Sequence, residues 1–212
     1  MERAVLFCNG EIKDIEYHKT LLKADDFIIA VDGGGRYCMK MNVLPSVAIG
    51  DFDSLDAEIR TYFNEKNVET IPFPADKDYI DMVLGIEEAQ KRGYKDILIL
   101  GAFGGHRADM FFGNLLALAN YDESIVMKDE ENEARFLPEG KRLHLKGKPG
   151  SYVSILPLSD TVATDESDGL KYPLGGLVFH RGETRSISNE LTRESASLGI
   201  IKGSALVMMQ TR

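Results

Sequence analysis

The stretch "AIGDFDSLD" (residues 48–56) sets three aspartates directly behind a short apolar run. Two of them, Asp51 and Asp53, stand at i and i+2 in a loop, so both can turn carboxylate oxygens toward one hard cation. A third, Asp81, stands at the end of "ADKDYID" and the start of the next helical segment, where it could complete the set. Magnesium suits such a set: it takes oxygen ligands, keeps several waters and is usually shared with substrate phosphates. Arg107 and Lys77 carry the positive charge that phosphate oxygens need, the arginine with a bidentate fork. The glycines at 33–35 and 104–105 allow backbone N–H groups to approach an anion. Each feature alone has a plain alternative. Asp53 or Ser54 can cap a helix starting near Leu55, "GGG" can be a turn, "DKD" a solvated helix start and Arg107 a surface arginine.

Position decides between these readings. Asp32 and the glycine run follow the strand-like residues 27–31, and Asp51 and Asp53 follow residues 46–49. Asp76, Asp78 and Asp81 follow residues 70–73, and Arg107 and Asp109 in "GAFGGHRAD" follow residues 97–100. All these loops leave the carboxyl ends of strands, which in a parallel sheet share one edge, the edge where open α/β folds bind ligands. Asp25, Asp26, Asp56 and the Glu87–Glu88 pair read as solvated charges, and His18, His144 and His180 have no partner spacing.

The elements that must position these residues alternate in type. Strand-like runs at "AVLF", "FIIAVD", "SVAIGD", "VETIPF", "DILILGA" and "SIVMKD" are separated by segments of helical spacing: Leu21–Leu22 after Tyr17, 37–41, Ile59 with Tyr62 and Phe63, "DYIDMVLGIEEAQKRG" and 109–121. Such alternation predicts a mostly parallel sheet covered by helices on both faces. Past about residue 129 only short strand-like pieces remain, "RLHLKG", "SYVSILPL", "TVATDE", "GLVFHR" and "ALVMMQ", between Gly, Pro, Asp and Ser turns. The expected architecture is an α/β domain over 1–130 and a small all-β sandwich or barrel over 131–212, with the boundary in the charged "KDEENEARFLPEG". A formal charge of −9 argues against a general nucleic-acid or anionic-membrane binder, yet allows a nucleotide substrate beside a divalent metal. No apolar run reaches the length of a membrane span, and "MERAVLFCNG" lacks the parts of a signal peptide. Cys8 and Cys38 read as free core thiols in a reducing cytoplasm.

In order along the chain, "VDGG", "GDFDS", "DKDYID", "GGHRAD", "GLKYPL" and "SISNE" resemble the thiamine pyrophosphokinase family. The resemblance implies an α/β nucleotide domain followed by a thiamine-binding β-sandwich, assembled as a homodimer. It implies pyrophosphoryl transfer from ATP to the thiamine hydroxyl, giving thiamine diphosphate and AMP. On the same ground, Asp51, Asp53 and Asp81 would hold magnesium, with Asp51 helping to deprotonate or orient the alcohol. Asp78, Lys77, Arg107 and Asp109 would arrange the polyphosphate and metal shell, and Asp32 and Gly33 would lie beside the nucleotide. Ser188 and Asn189 would meet the thiamine pyrimidine near the dimer interface. The chain departs from the family pattern at Ile80 (commonly threonine), Val83 (frequently acidic) and Met110 (commonly histidine), and His106 looks inserted before Arg107. Two other functions fit the aspartate motif less well: a D-x-D magnesium-dependent phosphatase, and a non-catalytic thiamine- or nucleotide-binding protein.

Overall fold

The computed structural model describes residues 2–51, 55–73 and 78–210. Asp53, Asp76 and Lys77 lie outside the described residues. Contacts divide the chain into two units, Met1–Asn114 with Met127–Glu130, and Leu115–Val126 with Glu131–Arg212.

The first unit alternates strands with helices: β1 (Arg3–Phe7), α1 (Ile15–Thr20), β2 (Phe27–Val31), α2 (Gly35–Met41), β3 (Val47–Gly50), α3 (Ala57–Glu65), β4 (Glu69–Pro72), α4 (Asp81–Lys91), β5 (Asp96–Leu100) and the start of α5 (Ala108–Ala117). Its strands pair in parallel in the order β5-β1-β2-β3-β4. Ala4, Val5, Leu6 and Phe7 in β1 are all fully buried, as are Ile97, Ile99 and Leu100 in β5. Apolar residues at consecutive positions mean that both faces are covered, so the polar residues are left to the strand ends. Helix α1 stops at Thr20, short of the Leu21–Leu22 pair expected within it.

Two acids read from sequence as solvated are not. Asp26 is only 1% exposed at its side chain and pairs with Arg3 at 2.6 Å. Glu88 is buried and bonds Arg92, the C-cap residue of α4, at 2.7 Å. In each case a cation delivered by the fold offsets the desolvation of the acid. His18 is also fully buried, with Nδ1 2.7 Å from the carbonyl oxygen of Asp14.

Strand β6 (Ile125–Lys128) contains residues of both units. The second unit is antiparallel. It holds β7 (Asn132–Leu137), β8 (Arg142–Lys146), β9 (Tyr152–Pro157), β10 (Thr161–Thr164), β11 (Val178–His180), β12 (Asn189–Glu190), β13 (Ser195–Lys202) and β14 (Ala205–Gln210). One run of neighbours is β12-β9-β14-β7 and the other β11-β10-β13-β8. Every second residue of β8 and β9 is buried, which sends Leu143, Leu145, Val153 and Ile155 into one core with Phe179, Leu198 and Val207. Strand β7 falls inside the charged stretch expected to be a boundary. Its charges do not prevent a strand, because Glu133 and Arg135 stand two residues apart and bond each other at 2.8 Å. The longest strand, β13, also carried no sequence signal, since "SASLGIIK" mixes Ser and Gly with its apolar residues.

Candidate active site

A cavity of about 650 Å³ opens in the first unit where β1, β2 and β5 end. Asp32, Asp81, Gly104, Gly105 and Arg107 line it, joined by His106 and Met110. Three of the four loops expected at this edge, those carrying Asp32, Asp81 and Arg107, thus meet at the cavity, whereas Asp51 and Asp109 are not among its lining residues.

Local packing holds each of the acids. Asp32 takes a left-handed conformation, φ 49°, unusual outside glycine. Asn9 Nδ2 donates to its carboxylate at 3.0 Å. A Cβ on the next residue, Gly33, would stand 2.3 Å from the Asn9 side-chain oxygen, so a larger residue there would displace the amide that bonds Asp32. Gly50, the residue before Asp51, has φ 149°, and a Cβ there would lie 3.0 Å from the Asp32 Cα. Close backbone approach thus brings the start of the Asp51 loop beside Asp32. Asp81 forms the first turn of α4, where the helix dipole favours a carboxylate. Gly85 lets that helix press on Leu6 and Val31, within 2.9 Å of where its Cβ would stand, which fixes the height of Asp81 over β1 and β2. Gly34 and Gly35 are buried, and a Cβ on them would strike the Phe7 carbonyl and the Phe63 ring, so packing holds both positions to glycine.

Electrostatics tie the same residues together. The Cys8 thiol is buried at the cavity wall and pushed up to about 12, chiefly by burial, then by the nearby charges of Asp81 and Asp32. One sulfur thus senses both carboxylates. Arg107 forks onto Asp109, Nε at 2.8 Å and Nη2 at 2.6 Å, with both side chains exposed. The guanidinium's hydrogen bonds hold the Asp109 carboxyl down at about 2. Asp78 is exposed in the turn before α4 and does not line the cavity.

The expected metal ligands, Asp51, Asp53 and Asp81, would form an all-carboxylate set with the hard-oxygen chemistry that magnesium takes. Among the described residues, however, no three His, Cys, Asp or Glu side chains stand close enough to hold an ion, and Asp53 is not one of these residues.

In the second unit Ser188 is exposed, with φ 64° and its N–H 3.2 Å from Ser154 Oγ. Asn189 differs from the expectation of a substrate contact. It is buried, its Oδ1 accepts from the N–H of Tyr172 at 3.0 Å and of Glu190 at 2.9 Å, and its Nδ2 donates to the Tyr172 carbonyl at 2.7 Å. The amide ties down the "LKYP" turn, in which Tyr172 is 58% exposed.

Residues 18–128 match the family model described as "Thiamin pyrophosphokinase, catalytic domain", and residues 141–200 match "Thiamin pyrophosphokinase, vitamin B1 binding domain". The chain is 30% identical over 186 residues to thiamine pyrophosphokinase of Bacillus subtilis (strain 168), covering 86% of either chain. The chain belongs to the thiamine pyrophosphokinase family. Solved structures agree. The backbone is similar to the thiamine pyrophosphokinase of Bacillus subtilis, with a TM-score of 0.85, 26% identity, and 100% of this chain and 99% of that one covered. It is similar also to that of Geobacillus thermodenitrificans, with a TM-score of 0.81, 29% identity, and 100% and 98% covered.

The α/β unit of this thiamine pyrophosphokinase family member also uses residues that sequence reading missed. Asn9, Arg36, Tyr37, Phe111 and Asn114 line the same cavity. A signal for Asn9 existed, since "CNGE" also follows the carboxyl end of a strand. Of the departures from the family pattern, His106 and Met110 both reach the cavity, whereas Val83 is buried in α4. No helix among the described residues is long and apolar enough to cross a membrane.

Proposed function

We propose that this chain transfers a pyrophosphoryl group from ATP to the hydroxyl of thiamine, giving thiamine diphosphate and AMP. The observation that carries the reading is the convergence of Asp32, Asp81 and Arg107 on one cavity at the carboxyl edge of a parallel sheet, in a chain of this family. The thiamine oxygen attacks the β phosphorus, the bond from that phosphorus to the α–β bridging oxygen breaks, and the alcohol proton passes to a base. Asp51 is the residue we assign to accept or orient that proton. Asp51, Asp53 and Asp81 would hold magnesium, which when bound offsets phosphate charge and aligns the reacting groups. Arg107, with Lys77, Asp78 and Asp109, arranges the polyphosphate, and Asp32 and Gly33 flank the nucleotide.

Residues 1–130 serve on this reading as the nucleotide and metal domain and 131–212 as the thiamine domain, with Ser188 at the pyrimidine. Asn189 acts there through the turn that it ties. A homodimer, with the thiamine site near its interface, completes the reading, and the buried free thiols Cys8 and Cys38 fit a cytoplasmic setting. The test is AMP formation that requires ATP, magnesium and thiamine together. Release of inorganic phosphate from assorted esters without thiamine would point to a phosphatase, and binding without either product to a carrier.

A further inference from the structure

The two arginines of the nucleotide cavity are held in different ways. Arg107 carries its own counter-ion, because the fork onto Asp109 matches its charge with a carboxylate. Arg36 does not. Its Nε donates to the Gly33 carbonyl at 3.0 Å and its Nη2 to the Asn9 carbonyl at 3.2 Å. Both partners are neutral, so these bonds orient the guanidinium without cancelling its charge. The seat is itself fixed. Tyr37, against whose ring the Arg36 guanidinium lies at 5.5 Å, donates its hydroxyl to the Gly10 carbonyl at 2.7 Å and accepts from the Ile12 N–H at 3.1 Å. The 9–12 loop and the start of α2 are thereby sewn together beneath Arg36. Glu11, Asp32 and Asp81 supply the opposite sign around the same cavity.

We propose that Arg36 is a phosphate-binding residue of this site, holding the polyphosphate of the nucleoside triphosphate. This rests on the nucleotide reading given above. A half-buried guanidinium on neutral carbonyls keeps its remaining donors and its full charge for an anion, and forked N–H groups suit phosphate oxygens. Arg107 must first leave or share Asp109, so it contributes less to initial binding.

The test compares calorimetric titrations of magnesium–ATP and of adenosine, the uncharged control, into wild type, Arg36→Gln, Arg36→Lys and Arg107→Gln. Arg36→Gln should weaken ATP on the order of tenfold to a hundredfold, the range for a hydrogen bond to a charged group, and leave adenosine within about twofold. Arg36→Lys should fall between, keeping the charge but losing the fork, and Arg107→Gln should cost less than Arg36→Gln. Should Arg36→Gln fail to fold, Arg36→Lys decides by the same contrast between ATP and adenosine. Unchanged ATP affinity, or equal losses for ATP and adenosine, would reduce Arg36 to a support of the loop and overturn the proposal while leaving the nucleotide reading intact. A wild-type protein that binds no ATP would overturn both.

Discussion

The two units put polar residues to work in opposite ways. In β1, β2, β3 and β5 of the α/β unit the residues are apolar at consecutive positions, and charged residues gather past the carboxyl ends, where Asp32, Asp81, Arg36 and Arg107 line one cavity. In the antiparallel unit β8 and β9 bury every second residue, and the alternate positions of β8 are Arg142, His144 and Lys146, so polar residues are spread along a face. A polar residue in a conspicuous motif then need not mark a ligand. Asn189 is the clear case: its amide closes three hydrogen bonds to backbone. Parallel architecture concentrates chemistry at an edge, and antiparallel alternation disperses it.

The sharpest way to break this contrast is to separate loss of turnover from loss of stability. On the proposed reading, Asp51→Asn and Asp81→Asn each slow AMP formation by roughly two to four orders of magnitude, while unfolding free energy moves by about 0.5 kcal/mol or less. Asp56→Asn, at the start of α3 with no side-chain capping bond, should change neither. If Asp81→Asn proves as active as Asp56→Asn, the edge is not a shared site.

Asp26→Ala probes an acid in the same unit that is structural. Removing one partner of a pair this well buried leaves Arg3 uncompensated, and denaturant unfolding should show a loss of about 3–5 kcal/mol. Stability near wild type would mean that the pair is replaced by solvent.

Asn189→Ala carries the comparison into the β unit. Three lost hydrogen bonds around a buried amide should cost about 1–3 kcal/mol, with thiamine affinity falling as the Tyr172 turn loosens. Wild-type stability combined with lost thiamine affinity would instead restore Asn189 as a direct contact.

The smallest effect concerns Arg107 and Asp109. A carboxyl held down in the folded protein contributes stability that is present above its ordinary range and lost as pH falls through the lowered value. Here the window runs from 3.8 down to about 2, and because both groups are exposed the energy is small. Carboxyl NMR should find the Asp109 midpoint near 2 and find it moved up toward 3.8 in Arg107→Gln. An unmoved midpoint would leave the fork without a role in holding Asp109 ionised.

Much of the α/β unit was legible in sequence because its signals are local. A fully buried parallel strand must be a continuous apolar run, and the chain must turn at its end, so the loops at Asp32, Asp51, Asp81 and Arg107 could be placed on one edge from their order alone. Pairing partners are not local. Nothing in "DDF" distinguishes Asp25 from Asp26; only the packing of β1 beside β2 and the reach of Arg3 make Asp26 a buried ion pair. Likewise, β7 and β13 have weak intrinsic signals, and become strands because β14 and β8 supply their hydrogen-bond ladders. The same holds for Arg36 and Asn189. Sequence determined that one chain carries a guanidinium beside a glycine turn and an amide beside a serine. Tertiary structure decided that the first rests on neutral carbonyls at a cavity wall and the second is used up within the fold, because hydrogen-bond partners 17 or 27 residues away are chosen by packing.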